Sequence, residues 1–519
     1  MKKYFLSVTV LLAIAFAGHA QKIKNLNVAK TDAGLVSGTT NHDDHIHIFR
    51  GIPFAAPPVG QLRWKAPQSV AKWNGIKKCD NFSASPMQGT PVPFGVYTEE
   101  FLIPKKPISE DCLYLNVWTG AQSSKEKRPV IVWIYGGGFV SGGTACPIYD
   151  GVAIAKKGIV LVSINYRVGI FGFFAHPGLT KESGHNASGN YGLMDQVAAL
   201  QWVKKNIAAF GGDPDNVTIA GQSAGSMSVC ALMASPLAKG LFKRAIGESG
   251  AGFYATTSIS NPGLQSAEKE GTKIAQSLNA TSINDLRKIP AEELMKKTQG
   301  SWGPIVDGYV LPGTIMQIFA AGKQNDVDLL TGWNEDDWLI FGKLKTAEEF
   351  RQQAEKQYGA NAPEFLKYYP ANNDEEAATS QKAYSRDNFF GVNNYTWANL
   401  EKQTGKSKVF LYHFSRKMPA TGEFVQYGAF HTSEVPYAYD NLQFVNRPFT
   451  DVDHSLAKLM SSYWVNFAVT GNPNGKNLPE WPGYNKNQKT VIVFDRHSQV
   501  EAVPDKDAID FLIRMIEQK

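Results

Sequence analysis

A chain of 519 residues with 43% hydrophobic and 12% aromatic content can bury a large core, and its length suits two or three average domains or one large α/β enzyme. The net charge of +6 is small for that length, and Lys and Arg are scattered rather than blocked, so no nucleic-acid partner is implied. No fixed-period repeat, low-complexity tract or linker divides the chain and no residue cluster has metal-ligand spacing, so residues 21–519 are expected to form a single domain without a metal.

Residues 1–20 have the layout of an export signal. Lys2 and Lys3 form a basic start, Phe5 to Ala17 an apolar stretch, and Gly18-His19-Ala20 a small-x-small cleavage site before Gln21. That stretch is short for a bilayer span, so the mature chain is expected to be secreted or periplasmic, with no stable membrane insertion. Such a compartment permits disulfides among the four cysteines Cys79, Cys112, Cys146 and Cys230. Cys230 lies on the apolar side of a helix and is expected to be a small buried hydrophobe.

Residues 49–60, Phe-Arg-Gly-Ile-Pro-Phe-Ala-Ala-Pro-Pro-Val-Gly, hold too many prolines for a helix and predict an ordered, extended surface segment. Residues 88–108, rich in Pro, Phe and Gly, predict a long loop that is either a lid or a wrap over the core. Leu113 to Trp118 alternates as a strand does. Pro129 to Ile134 and Ile159 to Ile164 are almost wholly apolar, as parallel strands covered on both faces require. Between these two runs sits Tyr135-Gly136-Gly137-Gly138-Phe139, where side-chain-free backbone can turn N–H groups toward a substrate oxygen.

Leu193, Val197, Leu200, Val203, Ile207 and Phe210 make one helical stripe, ended by Gly211-Gly212, and Asp213-Pro214 turns the chain into the next strand. That strand, Val217 to Ile219, meets Gly221-Gln222-Ser223-Ala224-Gly225, and helical spacing follows. A G-x-S-x-G between strand and helix is the nucleophile elbow: glycines let strand and helix approach, and the serine hydroxyl is exposed at a helix N-terminus. The alternation of strands and helices predicts an α/β fold with a mostly parallel sheet. Later residues turn helical and polar at 265–300 and 345–385, with strands again near Val327 to Thr331 and Val409 to Phe414.

A serine nucleophile in this fold needs an acid and then a histidine downstream. Of His413, His431, His454 and His497, the first lies inside a strand-like run, and the last two sit in charged, surface-like surroundings. His431, in Gly428-Ala-Phe-His-Thr-Ser-Glu434, lies in a small-residue loop. The acid is expected after the strand ending near Leu330, where Glu335, Asp336 and Asp337 are equal candidates by spacing.

The chain resembles the type B carboxylesterases, the family that includes the cholinesterases. The resemblance rests on Phe49 to Gly60, Ser109-Glu-Asp-Cys-Leu-Tyr-Leu-Asn-Val-Trp118, Tyr135 to Phe139, Asn165-Tyr-Arg-Val-Gly169 and Gly189-Asn-Tyr-Gly-Leu-Met-Asp-Gln196. It continues through Phe210-Gly-Gly-Asp-Pro214, Gly221 to Gly225, Gly428 to Glu434 and Phe467-Ala-Val-Thr-Gly-Asn-Pro-Asn474. It implies an α/β-hydrolase fold with large helical insertions. It also implies a triad of Ser223, His431 and Asp337, with Asp336 and Glu335 as alternatives because the family usually has Glu at this place. The implied oxyanion donors are the N–H groups of Gly137, Gly138 and Ala224, and Arg63 with Glu110 resembles the family's structural ion pair.

Three departures bear on substrate and structure. Gln222 stands where cholinesterases carry a glutamate. Residues 297–304 lack the paired phenylalanines of acetylcholine-selective relatives. The segment Phe82-Ser-Ala-Ser-Pro86 lacks the cysteine that in the family pairs with the one at Cys112, so Cys79 is the implied substitute. The resemblance therefore implies a general carboxylesterase that needs no cofactor and acts through an acyl-enzyme on small to medium, mostly neutral esters. Its rivals are a specialised feruloyl or acetyl esterase of plant or carbohydrate esters and a non-catalytic binding protein on the same fold.

Overall fold

Val130, Ile131, Val132, Trp133 and Ile134 form the middle of the core, each at most 2% exposed. Burying side chains of this size contributes about 1.5–3 kcal/mol apiece, and a continuous apolar run is stable only when both faces of its strand are covered. The computed structural model, which describes residues 26–41, 43–254, 262–298, 300–340, 342–485 and 487–518, places that run in an eleven-stranded sheet. The expected export signal lies outside these residues.

In chain order the strands are β1 (Thr39–Asn41), β2 (Ile46–Pro53), β3 (Tyr114–Thr119), β4 (Arg128–Ile134), β5 (Val160–Ile164) and β6 (Gly212–Gln222). The others are β7 (Arg244–Glu248), β8 (Asp328–Asn334), β9 (Val409–Phe414), β10 (Thr490–Phe494) and β11 (Gln499–Ala502). Across the sheet they run β11-β10-β9-β8-β7-β6-β4-β5-β3-β2-β1. Every pairing from β10 to β5 is parallel, and the pairings at both margins, β10 with β11 and β5 through β3 and β2 to β1, are antiparallel. The fold is the α/β-hydrolase fold.

The helix Tyr191–Asn206 buries the six stripe residues and tightens into a 3-10 turn over Ile207–Phe210, which Gly211 ends with φ 79°. Asp213 and Pro214, expected as a turn, fall inside β6, whose register to β4 shifts between Gly212 and Val217. A bulge accommodates the proline there. Residues 49–60 also need correction. They are no surface segment: Phe49 and Ile52 are fully buried in β2, and the chain leaves the sheet at Pro53 with Phe54 and Ala55 still buried. The prolines forbid a helix but not an edge-side strand that ends at one of them.

The helical insertions cover the sheet's carboxyl end and flank. Residues 262–298 supply the helices Leu264–Ser277, Ile283–Lys288 and Ala291–Lys297. Residues 346–404 supply Ala347–Tyr358, Ala362–Tyr368, Asp374–Arg386 and Val392–Thr404, with a π-turn at Asp387–Gly391. Arg63 clasps Glu110 in a two-point ion pair, Nε to Oε1 at 2.7 Å and a terminal nitrogen to Oε2 at 2.6 Å. The same guanidinium donates to the carbonyls of Leu286 and Ile289, fastening the first insertion to the N-terminal segment.

The tightest packing lies where β6 passes into the helix Ala224–Ala234. A Cβ on Gly221 would meet the Gly225 backbone at 2.5 Å, and one on Gly225 would overlap the Ile134 carbonyl oxygen. Gly225→Ala therefore cannot be absorbed by a side chain moving aside. The variant is expected to lose about 3 kcal/mol or more of stability, read as a drop in thermal midpoint, or to fail to fold soluble. Ala231→Gly in the same helix is expected to lose only about 1 kcal/mol from helix propensity, plus what its own small cavity costs.

Candidate active site

Three strands of the parallel run carry the candidate residues in the loops at their carboxyl ends, as ligand sites do in open α/β sheets. β6 leads to Ser223, β8 to residues 335–337, and β9 through a longer loop to His431.

Ser223 has φ 58° and ψ −125°, backbone that costs a non-glycine residue on the order of 1–3 kcal/mol. Its surroundings hold it there. Its N–H donates to the Glu248 carbonyl at 2.9 Å, and its carbonyl accepts from the Met227 N–H at 2.9 Å. Gly136 and Gly250 close the remaining space, for a Cβ on the first would stand 2.9 Å from Ser223 Cβ and one on the second 2.5 Å from Ser223 O. The hydroxyl is thereby directed into a cavity of about 800 Å³ that also receives Gly136 to Gly138, Gln222 and His431.

The structure separates the three candidate acids. Asp337 is fully buried, with Oδ1 2.5 Å from His431 Nδ1 and Oδ2 accepting from the Asn334 N–H at 3.0 Å. Asp336 instead accepts from the Ala429 N–H at 2.8 Å and braces the histidine loop, and its burial raises its carboxyl above the ordinary range. Glu335 turns away to His413 Nε2 at 2.7 Å and Arg386 at 2.9 Å. Burial alone would raise the Glu335 carboxyl, but the His413 hydrogen bond and the Arg386 charge outweigh it and bring it from 4.5 to about 2. His413 is buried in β9 and His454 and His497 are exposed, as expected from the sequence.

His431 is held from several sides. Phe390, from the π-turn of the second insertion, stacks on its ring with centroids 4.7 Å apart, and the Tyr97 hydroxyl donates to its carbonyl at 2.7 Å. Gln222 Nε2 lies 3.2 Å from His431 Nε2 and 3.4 Å from Nδ1. Among the described residues no hydrogen bond joins Ser223 Oγ to His431; such contacts are often loose before substrate arrives. Sequence reasoning missed Phe390 and Tyr97 as site residues, because no motif links a helical insertion or a proline-rich loop to a particular imidazole. Gln222 was visible as a departure from the cholinesterases, but not its contact with the ring.

The glycine turn after β4 has φ 108° at Gly137 and φ 62° at Gly138. Among the described residues the N–H groups of Gly137, Gly138 and Ala224 have no hydrogen-bond acceptor. Ala224 begins a helix, whose dipole adds to its N–H in favouring a negative oxygen.

Val92, Phe94, Tyr97 and Phe101 from the loop form one cavity wall, and Met295, Lys296, Thr298 and Trp302 form part of another. The loop at 88–108 is thus part of the site. The implied Cys79–Cys112 disulfide is not formed: all four cysteines are free and buried. Cys79 Sγ faces the Gly51 carbonyl at 3.9 Å, whereas Cys112 lies near Asp195 and Arg167. Cys79 follows the strand Ile76–Lys78, its carbonyl accepting from the Arg50 N–H and its N–H donating to the Ser37 carbonyl, both at 2.7 Å.

Two more carboxylates lie fully buried behind the pair. Glu434 accepts from Asn334 Nδ2 at 2.5 Å, and Glu248 accepts from Trp464 Nε1 at 2.8 Å and from the Tyr439 hydroxyl at 3.4 Å. Desolvation pushes both well above the ordinary carboxylate range, because burial disfavours their charged forms.

A strained serine at a strand-to-helix turn, a buried carboxylate–imidazole pair and acceptor-free N–H groups around one cavity define an α/β hydrolase. The model of the carboxylesterase family matches residues 25–512. The chain is 35% identical to the fumonisin B1 esterase of Sphingopyxis macrogoltabida over 88% of this chain and 85% of that one. It is 33% identical to the para-nitrobenzyl esterase of Bacillus subtilis, over 92% and 97%, and 35% identical to the liver carboxylesterase of Sus scrofa, over 85% and 84%. A solved structure of a PNB esterase superposes with TM-score 0.79 at 30% identity, covering 94% of this chain and 99% of that one. The chain belongs to the carboxylesterase family and is a carboxylic-ester hydrolase.

The Glu335 network yields a test of sign. A carboxyl lowered from 4.5 to about 2 stabilises the fold above pH 4.5, and that contribution disappears as the pH falls toward 2. Glu335→Gln is expected to melt below wild type at neutral pH, with the gap closing as the pH drops through that window. A gap that stays constant across it would contradict the assignment of Glu335 as an ionised partner of His413 and Arg386.

Proposed function

We propose that Ser223 is the nucleophile, His431 the general base and acid, and Asp337 the residue that orients and supports the imidazole. The observation that carries the proposal is the 2.5 Å Asp337–His431 contact lining up behind a cavity that Ser223 enters from a strained turn. In the first step His431 takes the proton of Ser223 while Oγ attacks the ester carbonyl, and the carbonyl oxygen becomes an oxyanion. The N–H groups of Gly137, Gly138 and Ala224 receive it; one donor of this kind contributes about 3 kcal/mol to the barrier reduction. The tetrahedral intermediate collapses as His431 gives its proton to the departing alcohol. Water, deprotonated by His431, then releases the acid from the acyl-enzyme. Every proton is handled by side chains already in place, and no cofactor enters.

The substrate is a small to medium, mostly neutral ester. An apolar cavity of about 800 Å³, walled by Val92, Phe94, Phe101, Ile170, Phe171 and Leu339, is large enough for acyl and alcohol groups of several carbons. Gln222 removes the negative charge that would favour a choline head. We also propose that the enzyme is a single domain over 21–519, exported with residues 1–20 removed, on the basic-apolar-small order at its N-terminus.

Hydrolysis of p-nitrophenyl acetate, butyrate and octanoate by wild type and by Ser223→Ala tests the nucleophile. The variant is expected to lose at least about 10⁴-fold in kcat on all three, and Asp337→Asn a comparable factor through the wrong imidazole tautomer. Glu335→Gln is expected to stay within about tenfold of wild type, since it touches neither His431 nor the cavity. Undiminished turnover by Ser223→Ala would refute the mechanism.

A further inference from the structure

The charges around the cavity are one-sided. Among the described residues that line it, only Lys296 carries a fixed charge, and none is Asp or Glu. The acidic side chains nearest the chemistry, Asp337, Glu248 and Glu434, are fully buried behind His431 and reach no cavity wall. At the position before the nucleophile, Gln222 presents a neutral amide to the cavity and to His431 Nε2. An anionic group entering the site therefore meets no carboxylate and one cation.

Lys296 is placed to act on such a group. It lies in the helix Ala291–Lys297, exposed, and makes no ion pair among the described residues, while its neighbour Lys297 is paired with Glu293 at 2.8 Å. Met295, Thr298 and Trp302 line the cavity with it, and a Cβ added at the following Gly303 would stand 3.4 Å from the Phe139 ring at the end of the glycine turn. Lys296 lines the same cavity as Gly137, Gly138 and Ser223, so an ester whose carbonyl oxygen reaches the glycine N–H groups shares that space with the lysine.

We propose that the enzyme also takes esters whose acyl chain ends in a free carboxylate, half-esters of dicarboxylic acids, and that Lys296 is the specificity-determining residue for them. The proposal rests on the serine-esterase mechanism above and adds a substrate class to it. The remaining lining is apolar or uncharged, which suits the methylene chain between the scissile carbonyl and the distal carboxylate. An exposed ion pair is weak and screened, so the effect is a preference rather than a requirement.

The test compares mono-4-nitrophenyl adipate and suberate with 4-nitrophenyl hexanoate and octanoate, chains too long for attack by their own carboxylate to compete. The quantity read is the ratio of kcat/KM on each acid to that on its neutral counterpart, so any general loss of activity cancels. Lys296→Gln is expected to lower the ratio about twofold to fivefold, and Lys296→Arg to retain it. In wild type the ratio is expected to fall as NaCl rises from about 20 mM to about 500 mM, since the shorter Debye length screens an exposed pair. An unchanged ratio in Lys296→Gln, or a wild type that hydrolyses the neutral esters and leaves the acids intact, would overturn the proposal and spare the mechanism. Turnover of neither kind by the wild type would overturn both.

Discussion

The close approach of three backbones around Ser223 is the constraint on which the rest of the structure depends. β6 must turn into a helix directly over the end of β4, and space remains only if positions 221 and 225 carry no side chain. The serine between them is held at φ 58° by hydrogen bonds to β7 and to its own helix. A strain on the order of 1–3 kcal/mol would unwind an isolated turn, but the fully buried strands on either side, each apolar side chain contributing about as much, make unwinding the costlier outcome. The same crowding that strains Ser223 exposes its hydroxyl, brings the Gly136–Gly138 turn beside it and leaves the Ala224 N–H without a partner.

From that point the site is completed by burial and neutralisation. A carboxylate as enclosed as Asp337 needs hydrogen bonds and a partner, and the Asn334 N–H and His431 supply them. Asn334 reaches on to Glu434, so the strand end, the acid and the histidine loop form one connected network. Burial raises the Glu434 and Glu248 carboxyls and disfavours their charged forms, whereas Glu335, within reach of His413 and Arg386, is lowered and stays ionised. Three adjacent acids thus have three roles, decided by which positive or N–H group each one faces.

That division explains how much of the site was legible from sequence. The elbow was, because its glycines are demanded by local sterics and its strand and helix by periodicity. The parallel run was, because doubly covered strands have to be apolar end to end. The choice among Glu335, Asp336 and Asp337 was not, since one residue of spacing moves a side chain to another face and only the fold says which face holds the imidazole. The resemblance to a family supplied Asp337 where spacing left a tie. Phe49 to Pro53 was misplaced at the surface because prolines mark what a segment cannot be more clearly than where it lies. The thiols of Cys79 and Cys112 were paired on compartment and family pattern, and neither carries information about distance. Phe390 reaches His431 from a π-turn 41 residues upstream in sequence, a geometry no local pattern announces.

The central claim is that the strained Ser223, and no other hydroxyl, is the activated nucleophile. The most direct measurement is to treat the folded protein with a fluorophosphonate and map the modified peptide by mass spectrometry. Ser223 Oγ should displace fluoride and carry a single phosphonyl group, and the protein unfolded beforehand should carry none, because only the folded turn and His431 activate the oxygen. A label on another residue, or no label on protein that hydrolyses esters, would contradict the account.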